Sequence, residues 1–441
     1  MSNSKTDPGA ATGERDHLAP TLRSRRKSLF ASTVGNVLEW YEWSAYAVFA
    51  PFIATVMFNP SDRVSALLST LAVFAVGFLM RPLGGIVFGR IADRRGRKFV
   101  LVTTMLMMAG GSLVIGLMPT YASIGAWASL VLLLARMAQG FAHGGESATA
   151  NTYVAEIAPS ESRGLWGSIV FVAIFGGSAL AYSVGGAVTS VLSDGAVAEW
   201  GWRVPFLLGA LLALAALWLR RSMDESEVFA EGRAEDGADD GGRPLPRRQV
   251  VRAVLLVITM TSGITAAHYT WTSYVSTYAI TRMGMDAGVA YWCSVSAQCV
   301  ALTTLPLWGR LSDKVGRRPM MITFAVLMIV LQIPLTGLIG PEGWTLLVAS
   351  SIALAVVAIP GALLSATMAE NFPTRVRTQG IGFAYSVSVA VFGGTAPYLN
   401  QLFVEWGAAR LSSLYIMLLC SFTGLACYLM RETRGIHLKD A

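Results

Sequence analysis

The chain has 441 residues, of which 54% are hydrophobic and only 14% charged, with a formal net charge of +7. A soluble chain of this length would be expected to form two or three domains under a charged surface, and this composition excludes that class. Its apolar residues come in runs of about 18 or more, long enough to cross a bilayer as helices. They are too long and too aliphatic for barrel strands, which alternate over about ten residues.

Residues 1–28 are polar and end in Arg23, Arg25, Arg26 and Lys27, directly before the first apolar run. They read as a tail, with no cleavable signal peptide evident. Twelve apolar spans are expected, over 30–57, 67–91, 99–118, 124–153, 165–192, 202–221, 250–280, 288–309, 319–340, 344–368, 379–405 and 411–430. Between the sixth and seventh, residues 223–249 contain EGRAEDGADDGGRPLPRR, whose Gly, Asp and Pro content reads as a flexible linker. The expected organisation is therefore a tail (1–28), a six-helix bundle (29–222), the linker (223–249), a second six-helix bundle (250–431) and a tail (432–441).

Lys and Arg crowd the N-terminal tail and the even-numbered loops, from Arg90 to Lys98, at Arg163, and from Arg310 to Arg318. The odd loops hold few, among them Arg63, Arg282 and Arg410. The positive-inside rule then puts both termini in the cytosol and the chain in the cytoplasmic membrane. This placement accounts for the positive charge and argues against nucleic acid as a partner. Cys293, Cys299, Cys420 and Cys427 all lie in apolar runs without metal-like spacing and read as small buried hydrophobes.

The two halves look like copies. Gly89-x-x-x-Asp93-x-x-Gly96-Arg97-Lys98 follows the second span, and Gly309-x-x-x-Asp313-x-x-Gly316-Arg317-Arg318 follows the eighth, 220 residues later. Glu156-x-x-Pro159-x-x-x-Arg163 follows the fourth span, and Glu370-x-x-Pro373-x-x-x-Arg377 follows the tenth, 214 residues later. Two motifs repeated at nearly one offset indicate a duplicated helical bundle. The glycines would let helix ends approach closely. The carboxylates would cap helices or pair with arginines across the bundle, a latch that holds one face closed. The bland alternative is a set of lipid-headgroup anchors.

These residues resemble the major facilitator superfamily over essentially everything beyond residue 28. Within it, GNVLEWYEW, RPLGG, ARMAQGFAHGGE, WGWRVPFLLG and DESEVF are similar to the metabolite:proton symporter family. GFLMRPLGGIVFGRIADRRGRK, YTWTSYVSTY and VFGGTAPY are similar to its members that carry 2-oxoglutarate. The chain departs from the family pattern at Glu42-Trp43, where members usually carry Asp-Phe, at Ser147, and at His143 and His268. The resemblance implies an all-α integral membrane protein of twelve transmembrane helices in two pseudo-symmetric six-helix bundles. It also implies alternating access, and uptake of a carboxylate metabolite with a proton.

Charged groups inside a bilayer are rare and point to function, since an arginine at the centre costs roughly 2.5–3.5 kcal/mol on insertion scales. Arg81 lies about 15 Å along its helix from the charged turn, at 1.5 Å per residue. Its guanidinium could grip a carboxylate through two parallel hydrogen bonds, or pair with a neighbouring glutamate. Glu39 and Glu42 share part of one face of the first span with Tyr46 and are candidates for proton coupling. In the fourth span Arg136, Gln139, Gly140, His143 and Ser147 fall on one stripe with Glu146 beside it. His143 with Glu146 is a candidate proton relay, and Arg136 a candidate partner of a buried glutamate. The polar seventh span places His268, Tyr269, Thr272 and Tyr274 where they could bind a carboxylate or keto oxygen. Tyr385, Gly393, Gly394, Tyr398 and Asn400 in the eleventh read as a hinge and outer gate.

The leading expectation is a proton-coupled importer of a dicarboxylate such as 2-oxoglutarate, working as a monomer without cofactor or metal. The alternatives are another organic acid or a zwitterionic osmolyte on the same fold, or a membrane sensor that transports nothing. An osmosensing member would be expected to carry a long C-terminal coiled coil, whereas this chain stops eleven residues after Met430. The sequence contains no phosphate loop, no HExxH and no nucleophile elbow, so an enzyme is not expected.

Overall fold

The computed structural model describes residues 22–95, 97–144, 154–155, 158–221, 247–372 and 377–436. The described residues are helical with short connections. The first half comprises α1 (Leu22–Val48), α2 (Ala50–Met57), α3 (Arg63–Leu79), α4 (Arg81–Arg95), α5 (Arg97–Leu117), α6 (Ala126–Gly144), α7 (Arg163–Val191) and α8 (Val204–Arg221). The second comprises α9 (Arg247–Tyr269), α10 (Val275–Thr281), α11 (Ala287–Val315), α12 (Arg317–Leu338), α13 (Gly343–Glu370), α14 (Arg377–Ser388), α15 (Ala396–Glu405) and α16 (Ala409–Leu429). The described parts of the expected spans are largely helical, and residues 145–153 of the expected fourth span lie outside the described residues. Most of the expected linker and both outermost tails lie outside the described residues.

Among the described residues, seven segments have the length and hydropathy of a bilayer crossing: Arg63–Ala92, Phe99–Leu117, Ser160–Val191, Arg248–Thr281, Arg317–Leu338, Gly343–Glu370 and Ala409–Leu429. The expected spans on α1 and α6 instead carry buried charge, at Glu42 and Arg136. Large apolar side chains such as Leu83, Leu211, Val326, Val330 and Leu418 stand about half exposed or more, as hydrocarbon requires and water would penalise. The chain is a multi-pass membrane protein.

Local chemistry sets the breaks. Asp62 caps α3, its carboxylate accepting from the Ser65 amide (3.0 Å) and hydroxyl (2.6 Å), which holds its pKa below the usual carboxylate value. Asp286 caps α11 through the Val289 amide at 2.9 Å. Two π turns, Thr270–Tyr274 and Val389–Gly393, interrupt the runs α9–α10 and α14–α15. Such turns often mark functional positions, and the second packs against α9.

The halves meet along α7, which packs on α11 and α13, and again where α3 and α4 meet α15 and α14. Within the first half, α6 lies directly on α3 and α4. A Cβ at Gly140 would sit 1.8 Å from the Gly77 carbonyl oxygen, and one at Gly144 would sit 2.0 Å from that of Arg81. Only glycine permits this backbone contact, and it fixes the first residue of α4 against α6.

Gly140→Ala and Gly144→Ala should therefore each lower the thermal unfolding midpoint of the purified protein, by the equivalent of about 1–3 kcal/mol of overpacking. Gly110→Ala, whose Cβ meets nothing within 4 Å among the described residues, should leave the midpoint unchanged or raise it.

Candidate functional site

Arg81 opens α4 in the middle of the molecule and is buried. Its guanidinium carbon lies 3.9 Å from the Phe78 ring and 4.2 Å from that of Trp43. Tyr269, Glu39 and Tyr385 share its electrostatic surroundings. Among the described residues, no hydrogen bond reaches its Nε or Nη2. These two nitrogens form one edge of the guanidinium, and their parallel N–H groups match the two oxygens of a carboxylate.

Beside this arginine, a small cavity lies between the halves. It is about 10 Å³ and is lined by Trp40, Trp43, Ser178, His268, Tyr269 and Thr272, among others. That is room for about one water, so the halves must separate to admit a metabolite. Ser178 Oγ, His268 Nδ1 and Tyr269 Oη are buried without a hydrogen-bond partner among the described residues. Buried polar groups are normally paired. Several unpaired ones converging from both halves on one cavity define the candidate site. Aromatic rings seal it, with Phe78 against Tyr269 at 5.0 Å between centroids and His268 against Tyr269 at 5.1 Å.

Behind the tryptophans lies a second cavity of about 40 Å³, lined by Glu39, Glu42 and His143 together with residues of α5 and α8. His143 Nδ1 contacts Glu39 and accepts a hydrogen bond from Trp43 Nε1 at 3.1 Å. Glu42 faces α8, where a Cβ at Gly209 would stand 3.5 Å from its Cγ. Arg136 is buried, donates to Gln139 Oε1 at 2.9 Å, and lies 4.2 Å from Trp43 and 4.4 Å from Tyr46.

The structure thus places His268, Tyr269 and Thr272 at one cavity, with Arg81 against the Trp43 ring of its wall, and Glu39, Glu42 and His143 at another. Thr272 Oγ1 is already engaged with the His268 carbonyl at 2.6 Å. Tyr274 does not join the site, since its hydroxyl donates to Gln401 at 3.0 Å and its ring packs with Ala50, Ala66 and Leu71. Even a regular helix would set it about 200° around the axis from Thr272, on the opposite side. Glu146 lies outside the described residues. Sequence reading passed over Ser178, which sits in an apolar run with no charged neighbour, and noted Trp43 as a departure from the family pattern without giving it a role.

At the basic face, caps and ion pairs join the two halves. Asp313, near the end of α11, accepts from the Gly164 amide (2.8 Å) and the Leu165 amide (3.0 Å) at the start of α7. The carboxylate of one half thereby caps the helix N-terminus of the other, where a cap on its own half or an arginine across the bundle was expected. Asp313 also holds Arg317 at 2.8 Å. Arg163 reaches across the halves to Glu370 at 2.8 Å, and Glu370 lies 3.5 Å from Arg317. Gly309 admits this contact, since its Cβ would stand 2.8 Å from the Gly164 carbonyl oxygen. Gly316, at φ +115°, turns the chain from α11 into α12. Arg377 turns back on the Phe372 carbonyl at 3.3 Å.

The segment after α16 closes over the same cluster. Glu432 accepts from the Arg317 amide at 2.8 Å and the Arg318 amide at 3.0 Å, and Thr433 donates to Glu370 at 2.7 Å. Sequence reading missed this arm, although an acid two residues beyond a span and close to a basic face was available as a signal. In the first half, a Cβ at Gly89 meets nothing within 4 Å among the described residues. Gly96 and Glu156 lie outside the described residues, as do the side chains of Asp93 and Arg97.

Removing one partner of a buried ion pair costs about 3–5 kcal/mol. Glu370→Gln and Asp313→Asn should each loosen the basic face, read as at least about fivefold faster maleimide labelling of Leu165→Cys than in the intact background. Unchanged labelling would remove the latch role.

The Major Facilitator Superfamily signature matches residues 33–397, and a second match covers 284–440. The chain is 37% identical to the alpha-ketoglutarate permease of Escherichia coli (strain K12) over 422 residues, spanning 94% of this chain and 96% of that one. It is 36% identical to the ectoine/proline transporter of Corynebacterium glutamicum, over 92% of this chain and 84% of that one. It is 31% identical to the proline/betaine transporter of Salmonella typhimurium, over 94% and 85%. The fold matches a crystal structure of a D-xylose-proton symporter with a TM-score of 0.72 at 20% identity, over 93% of this chain and 99% of that one. It also matches a partially occluded inward-open xylose transporter from E. coli, at 0.70 and 19%, over 93% and 98%. With the fold and both cavities in view, this chain belongs to the major facilitator superfamily and, within it, to the metabolite:proton symporter family.

Proposed function

We propose that the chain imports a dicarboxylate of the 2-oxoglutarate type together with protons, by alternating access between two six-helix bundles of a twelve-helix monomer. Both termini and the linker then lie on the cytosolic side of the cytoplasmic membrane, with the latch on that face. The observation that carries this reading is the unpartnered Nε/Nη2 edge of Arg81, buried beside a cavity with three further unpaired polar groups. A guanidinium in that setting lacks charge-assisted hydrogen bonds worth about 1.5–3 kcal/mol each, and a carboxylate supplies both at once.

Arg81 is the first anchor for the substrate, and His268, Tyr269 and Ser178 bind its far end from the opposite wall. Glu39, Glu42 and His143 hold the coupling proton in the neighbouring cavity, with Arg136 setting the local charge. Contacts join the halves on both sides of the small central cavity. On the basic face this is the latch, and at the other end Tyr291 donates to the Val48 carbonyl at 2.6 Å. Substrate and proton binding would let one of these contacts part while the other holds.

A second reading is uptake of a zwitterion. It is favoured by the names of the relatives from C. glutamicum and S. typhimurium, and by the aromatic rings around the cavity, which suit a quaternary ammonium group. Competition of uptake by unlabelled dicarboxylates against proline and betaine separates the two.

Arg81→Ala should reach the membrane and fold, yet lose 2-oxoglutarate uptake at least about a hundredfold, and Arg81→Lys should restore little because it lacks the bidentate edge. Uptake by Arg81→Ala at the unmodified rate would rule out the assigned role.

A further inference from the structure

Trp43 links the two cavities. Its ring lines the central one, and its indole N–H donates to His143, which lines the other. The same ring carries the guanidinium groups of Arg81 and Arg136, each 4.2 Å away. We infer that Trp43 is the positioning residue that couples the proton to the anion, by sensing whether His143 Nδ1 carries a proton. This inference rests on the proposed function and deepens it.

The chemistry follows from one atom. Nδ1 of a neutral imidazole can accept the Trp43 N–H only while its lone pair is free. Nδ1 also contacts Glu39. When a proton from water in the Glu39 cavity binds Nδ1, that N–H is donated to Glu39, and Trp43 loses its acceptor. The indole N–H is then a buried donor without a partner, a state that costs about 1–3 kcal/mol. Turning toward the central cavity offers that N–H to an anion held by Arg81. Protonation therefore raises anion affinity, and a bound anion favours protonation by the same factor. After the anion leaves, the N–H returns to Nδ1 and the proton goes back to water.

The charged and titratable groups around this junction are Glu39, Glu42 and Tyr46 of α1, Arg81 of α4, Arg136 of α6, His268 and Tyr269 of α9, and Tyr385 of α14. His268 could also confer pH dependence. It has no bond to Trp43 N–H, so a substitution at Trp43 that removes only the N–H tells the two apart.

The test is calorimetric binding of 2-oxoglutarate to the full chain in nanodiscs at pH 6 and pH 8. Intact protein should bind about tenfold tighter at pH 6. Trp43→Phe keeps an aromatic ring and removes the N–H, and should bring that ratio below about twofold. His143→Gln should do the same, because its amide oxygen accepts the indole N–H at either pH. If Trp43→Phe does not fold, a ratio in His143→Gln equal to that of the intact protein overturns the inference. A ratio in both variants equal to that of the intact protein would overturn the inference while leaving the dicarboxylate reading intact. Failure of the intact protein to bind any carboxylate at either pH would overturn that reading and the inference with it.

Discussion

The structure depends on the burial of two guanidinium groups against one indole ring. Moving an arginine to a bilayer centre costs a few kcal/mol. Desolvated cation–π contacts return up to about 2 kcal/mol each, and both Arg81 and Arg136 have more than one. These contacts make the charges tolerable without making them content. Arg136 gains Gln139 as an acceptor for Nη1, but both arginines keep Nε and Nη2 unbonded among the described residues. What separates them is place: Arg81 lies with Tyr269 and Tyr385 of the second half, and Arg136 against Tyr46 within the first.

The glycine contacts between α6 and the α3–α4 run serve this arrangement. They bring backbone against backbone at Arg81, so its side chain leaves α4 at a fixed place. The latch applies the same economy at the basic face. Asp313 caps α7 across the halves, Glu370 takes Arg163, and the segment after α16 adds Thr433. The first two bonds cross between the halves, which alternating access must separate, and the third braces Glu370 within its own half. The buried ion pair gives a definite closed position rather than a large gain in stability, since desolvation offsets much of the attraction.

Much of this was legible in the sequence, for physical reasons. Bilayer thickness forces long apolar runs, so the membrane-crossing character could be read, and seven described segments have the length and hydropathy for it, while the break at Phe49 went unseen. Duplicated motifs at a fixed offset pointed to Asp313, Arg163 and Glu370, which make contacts between the halves, and a charged residue inside an apolar run pointed to Arg81. What could not be read were contacts that depend on packing. Asp313 caps a helix 149 residues away. His143 meets Glu39, a residue of another helix. Tyr274 is taken out of the site by its bond to Gln401, a partner 127 residues away. Ser178 becomes a site residue only because its hydroxyl lacks the backbone bond that a membrane serine usually makes.

The central claim is that a buried, partner-seeking arginine beside a proton-holding pair selects a dicarboxylate and couples it to protons. The most direct measurement is uptake by the intact chain in proteoliposomes, across a panel of mono- and dicarboxylates, proline and betaine, with and without an inward proton gradient. A proton-coupled dicarboxylate importer should concentrate 2-oxoglutarate or a close relative only when the gradient is present, and should leave the zwitterions outside. Gradient-driven accumulation of proline or betaine with no dicarboxylate uptake would contradict it.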